Sequence, residues 1–506
     1  MPDREDNYNP LNDSKLLEDI NNAFIKKFKT DNNFYIYDVN TNEFIKVDKV
    51  IWNIFPDEAG RREDYQALIL KWGKENIQKS LKEIQEAILK QNLFKANRPI
   101  IGVPMRKDQL KKHIDGYNNQ TCLNITDDCN FRCKYCTYSG IYPDHRTHSK
   151  KNMSWTTAKK ALDDFIHNSR FVENPSLSFY GGEPLLAMDL IKKCVNYLKQ
   201  KDKHCHYNLT TNGALLNGNN KQFFIDEGFN VTVSLNGPED IHNAYRVFPN
   251  GKPSWQIIMK NLMGIKSKNE EYFIKHINFS CVFTPPYRLK EVILYFYESF
   301  PGMNVRFNNV DIYNTDYFYR NYSKLEMSSF SKQIRELLES YKELFINSYQ
   351  YDNYLSLIET IVGNDILDLH KRNKEYLCDI VLSQGPCIIG ERRLFVTTEG
   401  NYMPCERVHL FPFVGNINKG LNYNKIYNIM IQYNNVFSSI CTNCPYVRLC
   451  YKCYKDIILN KGFNMHLAKE LCNKKQLEVK NKISLYLYLV EQNKDAFKKM
   501  ESIKLK

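Results

Sequence analysis

The chain has 506 residues, too many for one compact core, and its 43% hydrophobic and 25% charged residues are typical of a globular protein with two or three domains. Lys and Arg exceed Asp and Glu by 70 − 57 = 13, which fits either a solvated surface or attraction to an acidic partner. No segment approaches the roughly 18–20 apolar residues that cross a bilayer, and neither a secretory pattern nor a block of like charges is present, so we expect a cytoplasmic protein without membrane or nucleic-acid contacts.

The first predicted unit, over residues 1–100, is small and mixes strands with helices. Its first 30 residues are polar, and we expect them to be frayed. The patterns of Phe34–Asp38 and Glu43–Val47 are typical of two short strands, and Asp48 is a suitable N-cap for a helix after them. A second helix is indicated by four apolar residues at helical spacing, namely Ile77, Leu81, Ile84 and Ile88.

Strand and helix patterns then alternate over residues 115–320. Six strands are indicated, at residues 122–126, 177–180, 207–210, 231–235, 277–283 and 303–307. Ser154 is a suitable N-cap for the helix that follows the first of them. Such alternation predicts an α/β domain with a parallel sheet or barrel covered by helices. Chemistry in these folds lies in the loops at the carboxyl ends of the strands.

The remaining chain divides into a helical part and a cysteine-rich part. Residues 321–377 have helical patterns and are predicted to bridge two domains. Apolar periodicity gives way to cysteines and turns over residues 378–475. A Lys-rich helix is expected in residues 476–506. The cysteines need a purpose other than disulfides, because cytoplasmic thiols are kept reduced.

Three cysteines close together follow the first predicted strand of the α/β domain. They are Cys129, Cys133 and Cys136, with three and then two residues between them. Three thiolates at this spacing can each bind one corner of a cubane cluster and leave the fourth iron without a protein ligand. A structural zinc site would need a fourth ligand, for which His145 and His148 are candidates. Both possibilities stay open on spacing alone.

This cysteine motif resembles the signature of the radical S-adenosylmethionine (radical SAM) superfamily. The residue before its last cysteine is aromatic, as in that family. Further family motifs follow in order at strand ends, with Arg246 twelve residues beyond Ser234. The resemblance implies that Tyr135 of the cysteine motif and six residues of the later motifs contact SAM: Gly181, Gly182, Glu183, Asn212, Ser234 and Arg246. Asn236 stands where the family usually has an aspartate, which puts only a contact by that carboxylate in doubt.

The resemblance implies a fold, a cofactor and a reaction. The fold would be a partial (β/α)6 barrel. The open iron would bind SAM, and one electron from a donor such as flavodoxin or ferredoxin would cleave it to a 5′-deoxyadenosyl radical. That radical would abstract an unactivated hydrogen, which acid–base chemistry of side chains cannot do, while the protein supplies positioning and a dry pocket.

The second cysteine region resembles the SPASM extension of radical SAM enzymes that mature peptides and proteins. The resemblance implies one auxiliary [4Fe–4S] cluster held by Cys441, Cys444, Cys450 and Cys472. It implies another, nearer the active site and making three clusters in all, held by Cys387, Cys405 and Cys453. Cys378 would be its fourth ligand, unless the site is open to substrate. Only Tyr451 and Lys452 fill a gap that usually has three residues, and paired C-x2-C units also occur in zinc ribbons.

The same resemblances suggest a substrate. Glu406 stands where sulfatase-maturing relatives have a proton-accepting aspartate, so it is a candidate general base. Residues 1–100 look like the winged-helix-like element that binds a leader peptide as an added strand. The sequences of residues 133–140 and 386–408 look like those of maturases of cysteine-rich ribosomal peptides. That resemblance implies a ribosomally made, cysteine-containing precursor in which a thioether is formed, with a carbon–carbon crosslink or an epimerisation as other outcomes. Alternatives are a sulfatase-type formylglycine-generating activator, and a non-catalytic zinc or iron–sulfur module on nucleic acid.

Overall fold

The structure of the protein is a computed structural model. It describes residues 9–57, 60–143, 145–312, 315–347, 353–383, 385, 387–408, 411–459, 462–493 and 497. None of the helices in these ranges is both long and apolar enough to span a bilayer.

The N-terminal part combines a three-stranded antiparallel sheet, in the order β1-β2-β3, with four helices. Its elements in chain order are α1 (Ser14–Asn22), β1 (Ile25–Lys29), β2 (Phe34–Asp38), β3 (Glu43–Val47), α2 (Lys49–Ile54), α3 (Tyr65–Trp72) and α4 (Lys74–Lys90). The two expected strands are present, and the Asp48 side chain accepts from Ile51 N at 2.8 Å as the N-cap of α2. The four apolar residues expected on one helix face are all buried in α4.

The expectation that the first 30 residues are frayed is wrong for the part that the structure describes. Residues 14–22 form α1, and residues 25–29 form β1, an edge strand of the sheet. Leu16 and Ile20, one helical turn apart, are both buried in the core of this part. These two buried residues and the half-buried Leu17 pack α1 against the core of this part, and the polarity of the remaining residues concealed them.

The middle of the chain forms the expected α/β domain. After β4 (Ile100–Ile101) and α5 (Lys107–Ile114), strands and helices alternate as β5 (Gln120–Thr126), α6 (Trp155–Asn168), β6 (Ser176–Gly181), α7 (Met188–Gln200), β7 (His206–Thr211), α8 (Gly218–Asp226), β8 (Asn230–Ser234), α9 (Glu239–Tyr245), α10 (Trp255–Lys266), α11 (Glu270–His276), β9 (Ile277–Phe283), α12 (Leu289–Ser299) and β10 (Val305–Asn309). Strands β5 to β10 are parallel and adjacent in sequence order, which confirms the six-stranded α/β architecture.

The two faces of this parallel sheet differ in polarity. Burial alternates residue by residue along β9, as it must when one face lies beneath helices. The other face is polar and half-buried, and side chains of neighbouring strands hydrogen-bond across it. Gln120 Nε2 donates to Ser178 Oγ at 2.5 Å, and Asn230 Nδ2 donates to Asn208 Oδ1 at 3.3 Å. The sheet therefore presents a polar interior face on the side opposite its helices.

The C-terminal part extends the same sheet. Its elements are α13 (Tyr317–Asn321), α14 (Lys324–Asn347), α15 (Asn353–Ile358), α16 (Asn364–His370), β11 (Ile380–Val381), β12 (Leu394–Val396), β13 (Asn401–Met403), β14 (Gly415–Asn416), β15 (Gly420–Leu421), α17 (Tyr423–Cys441), β16 (Ile458–Leu459), β17 (Gly462–Phe463) and α18 (Met465–Gln492). Strand β12 lies parallel to β5, and β13 to β15 continue antiparallel, which makes a ten-stranded sheet. The cysteine-rich segment is thereby joined directly to the parallel sheet, and the last helix begins earlier than residue 476.

Candidate active site

The loop after β5 carries the three cysteines of the first motif. The backbone N–H of Phe131 donates to Cys129 Sγ, and that of Tyr138 donates to Cys136 Sγ, each at 3.4 Å. Burial raises the pKa of Cys129 to about 12 and that of Cys136 to about 11, so the metal-free thiols are protonated at neutral pH. Metal binding would release those protons, and the two N–H donors would then stabilise the resulting thiolates.

The end of β6 passes directly against this cysteine loop. The backbone N–H of Gly182 donates to Thr126 O at 2.9 Å. A Cβ on Gly181, where φ is +148°, would lie 2.1 Å from Thr126 O, and a Cβ on Gly182 would lie 2.1 Å from Asp128 O. Both positions therefore need glycine, because any side chain would push the two segments apart.

Glu183 anchors the turn that follows these glycines. Its Oε1 accepts from Thr211 Oγ1 at 2.7 Å and from Leu185 N at 3.1 Å, and its Oε2 accepts from Asn212 N at 2.7 Å. The side chain is fully buried. Asn212 in turn places its Nδ2 3.9 Å from Cys129 Sγ. Glu183 thus ties the ends of β6 and β7 together beside the cysteine loop, and its contact with SAM stays a prediction.

Tyr135, Asn236 and Arg246 form a buried network on the other side of the loop. Arg246 Nη1 donates to the Tyr135 hydroxyl at 2.9 Å, and Asn236 Nδ2 donates to the same oxygen at 3.0 Å. Asn236 Oδ1 accepts from Val282 N at 3.2 Å. An aspartate at this position could not make the amide donation. Ser234, the last residue of β8, is half-buried near this network.

The residues of the loop fit an iron–sulfur cluster. Cys129, Cys133 and Cys136 are all free thiols, and Arg246 places a positive charge near Cys133. Within the described ranges, no three His, Cys, Asp or Glu side chains converge on a single ion. A cubane does not require such convergence, because each cysteine binds a different iron. His148, a candidate zinc ligand, has its Nδ1 3.4 Å from Asp127 O.

A second group of cysteines forms where α17 ends and α18 begins. A hydrogen bond between Cys441 and Cys472 lowers the pKa of Cys441 and raises that of Cys472. Cys444 and Cys450 each interact electrostatically with Cys441. The structure therefore brings together the four cysteines that the resemblance assigns to one auxiliary cluster, from positions more than a full helix apart in sequence.

A third group lies closer to the parallel sheet. Cys453 interacts electrostatically with both Cys405 and Cys387. The three cysteines assigned to the other auxiliary cluster are therefore also neighbours. Cys378 is exposed and lies near Arg448. Its role as the fourth ligand of this group stays a prediction.

Glu406 lies beside this third group. Arg393 Nη1 donates to its Oε1 at 2.5 Å, while Oε2 is buried and has no hydrogen-bond partner among the described residues. Arg393 is itself held by a hydrogen bond from its Nε to Gln120 Oε1 at 2.7 Å. One carboxylate oxygen is thus held by Arg393, and the role of Glu406 as a general base stays a prediction.

Sequence reasoning missed three charged residues of these sites, namely Arg146, Arg393 and Lys452. Arg146 Nη2 donates to the Tyr138 hydroxyl at 3.0 Å and to Glu406 O at 3.4 Å, which links the first cysteine loop to the third cysteine group. Arg393 precedes an apolar strand, and Lys452 lies between two cysteines. A charged residue next to an apolar strand or between two cysteines was the only feature of the sequence that could have indicated these contacts.

Comparisons with known proteins agree with this geometry. The model of the Radical SAM superfamily matches residues 123–293. The cysteine-type anaerobic sulfatase-maturating enzyme of Clostridium novyi is 25% identical over 346 residues, which are 64% of this chain and 84% of that enzyme. The radical SAM cyclopropyl synthase TigE of Paramaledivibacter caminithermalis is 27% identical over 156 residues, 29% of this chain and 32% of that one.

A solved structure extends the comparison to the fold. The structure described as native anSMEcpe with bound AdoMet superimposes with a TM-score of 0.53 and 18% identity, and the match covers 76% of this chain and 100% of that chain. At this identity the likeness concerns the fold alone. The matched residues 123–293 include the three-cysteine loop, the glycine turn and the network around Arg246. The chain therefore carries a radical SAM domain over residues 123–293.

Proposed function

We propose that the enzyme matures a ribosomally made, cysteine-containing precursor peptide by closing a thioether. The observation that carries this proposal is the presence of two further cysteine groups, the nearer of which lies next to Glu406 and is joined to the parallel sheet by β12. When bound, SAM and the cluster held by Cys129, Cys133 and Cys136 supply a radical that takes an unactivated hydrogen.

The residues of the site account for the balance of such a reaction. Thioether closure removes a hydrogen atom from the carbon and a proton and an electron from the thiol. Glu406, whose Oε2 has no hydrogen-bond partner among the described residues, would accept the thiol proton. Cys387, Cys405 and Cys453 would hold a cluster that supplies an electron acceptor or a binding site for the thiol.

The N-terminal sheet supports a peptide substrate. Strand β3 pairs only with β2 within the described part of the chain, so its outer edge can accept an added strand. Lys46 on β3 and Lys49 directly after it favour an acidic leader. A cavity of about 500 Å³, lined in part by Phe34, Lys46 and Asp48, opens at the end of β3.

The proposal is tested by supplying precursors. The anaerobically reconstituted enzyme is incubated with SAM, dithionite and each small cysteine-containing peptide encoded beside its gene. We expect one peptide to lose two hydrogen atoms and one free thiol by mass spectrometry. Loss of two hydrogens with all thiols still alkylatable would indicate a carbon–carbon crosslink. Deuterium uptake from solvent without mass loss would indicate epimerisation, and no change in any peptide would refute the proposal.

Sulfatase-type maturation is the second candidate, because 84% of the Clostridium novyi enzyme aligns with this chain. Such an enzyme would convert a Cys or Ser of a sulfatase segment to an aldehyde. Incubation with a synthetic sulfatase-motif peptide and an aldehyde-reactive hydrazide separates the two candidates. An aldehyde would favour this second function. The N-terminal sheet lies outside what that reaction requires and favours the first.

A further inference from the structure

Of the two residues between Cys450 and Cys453, the lysine is buried and the tyrosine is exposed, which is the reverse of the usual arrangement. The Tyr451 side chain is 61% exposed, whereas Lys452 is 6% exposed. Lysine is almost never fully buried unless it is paired, and an aromatic ring normally takes the inner position. Between these two cysteines an ammonium group therefore points inward and an aromatic ring points outward.

Sulfur atoms surround the buried ammonium group. Lys452 Nζ lies 3.8 Å from Cys450 Sγ and 5.1 Å from the centre of the Phe437 ring. Its charge also acts on Cys441 and Cys472, the two coupled cysteines of the same group. Within the described residues, Lys452 takes part in no ion pair with a carboxylate, unlike the nearby Lys475, which is paired with Glu478 at 2.7 Å.

A buried cation without a carboxylate partner needs another anion. Four thiolates around a [4Fe–4S] cluster form such an anion, and its negative charge grows by one on reduction. A fixed positive charge nearby stabilises the reduced cluster more than the oxidised one.

We propose that Lys452 is a positioning residue that raises the reduction potential of the auxiliary cluster held by Cys441, Cys444, Cys450 and Cys472. The inference rests on the proposed function only in placing a cluster at these cysteines, and it does not depend on the substrate. The higher potential makes this cluster a better acceptor of an electron that leaves the reaction.

The test is a redox titration of the reconstituted full-length enzyme, followed by electron paramagnetic resonance, with no peptide present. The signal of this cluster is identified as the one missing in Cys444→Ala. Lys452→Met and Lys452→Gln remove the charge, and Lys452→Arg keeps it. Lys469→Met makes the same change at an exposed position three residues before Cys472 and serves as the matched control.

We expect the equilibrium constant for reduction to fall at least tenfold in the two neutral variants, which is about 59 mV for a one-electron couple. Lys452→Arg and Lys469→Met should keep the wild-type potential. An unchanged potential in either neutral variant with full iron content would overturn the proposal. If neither neutral variant binds iron there but Lys452→Arg does, the charge is needed for the cluster and the proposal stands. Failure of Lys452→Arg as well would show that shape, not charge, matters.

Because the readout is a potential, a wrong substrate cannot produce a false result. Active peptide maturation with an unchanged potential would sink this inference and leave the proposed function intact. A shifted potential with no peptide modified would support this inference and refute the proposed function.

Discussion

Replacing Glu183 by Gln should loosen the turn between β6 and the SAM site. The carboxylate accepts three hydrogen bonds, from Thr211 Oγ1, Leu185 N and Asn212 N, at 2.7, 3.1 and 2.7 Å. An amide has one oxygen and one NH2 group in place of two accepting oxygens. In either orientation of the amide, one backbone N–H, of Leu185 or of Asn212, faces another donor.

The size of the effect follows from burial. A hydrogen bond to a charged group contributes about 1.5–3 kcal/mol, and a buried donor left without a partner costs about 1–3 kcal/mol. Because the turn can relax, we expect a net loss of about 2–3 kcal/mol. If this loss appears as weaker SAM binding, the affinity falls roughly 30- to 140-fold, since each 1.4 kcal/mol is a factor of ten.

Calorimetric titration of the reconstituted enzyme with SAM, together with iron analysis, measures this loss. Glu173→Gln makes the same chemical change in the exposed segment before β6 and should leave both quantities unchanged. Wild-type SAM affinity and iron content in Glu183→Gln would refute the anchoring role of the carboxylate.

Four more changes test other parts of the reasoning. Cys133→Ala should abolish SAM cleavage, because two thiolates cannot hold the cluster; continued 5′-deoxyadenosine production would show that this loop is not the cluster site. Cys444→Ala should leave SAM cleavage measurable but stop peptide modification, and normal product formation would make the second cysteine group merely structural. Lys46→Glu on β3 should weaken precursor binding several-fold in fluorescence anisotropy, with Lys74→Glu at the start of α4 as the control; equal affinities would exclude β3 as the docking edge. Burial raises the pKa of Glu359 to about 7, whereas its pKa in the unfolded chain is about 4.3. Between these two pH values the folded protein keeps a proton that the unfolded chain has lost, so the stability of the fold decreases as the pH rises. Glu359→Gln should remove this slope and stabilise the protein at pH 8 by up to about 3 kcal/mol, and melting profiles that run parallel from pH 5 to 8 in both proteins would contradict the assignment.

Local patterns were sufficient for much of the fold and for the first motif. The alternation of strands and helices predicted the parallel sheet, because strand and helix periods are written in consecutive residues. The three cysteines of the β5 loop and the glycines after β6 were recognisable for the same reason, since each motif is contiguous. The error at α1 and β1 arose because two buried residues in a polar segment carry little weight in a local window, although burial against the rest of the unit stabilises them.

Contacts between distant segments could not be read in this way. Spacing could not show that Cys472 meets Cys441, that Arg146 reaches the backbone of Glu406, or that Arg393 binds one oxygen of its carboxylate and leaves the other free. Nor could it show that Tyr451 faces solvent while Lys452 faces sulfur. Residue types and spacing specify which chemistry is possible, whereas burial and the direction of each side chain depend on packing among segments far apart in the chain.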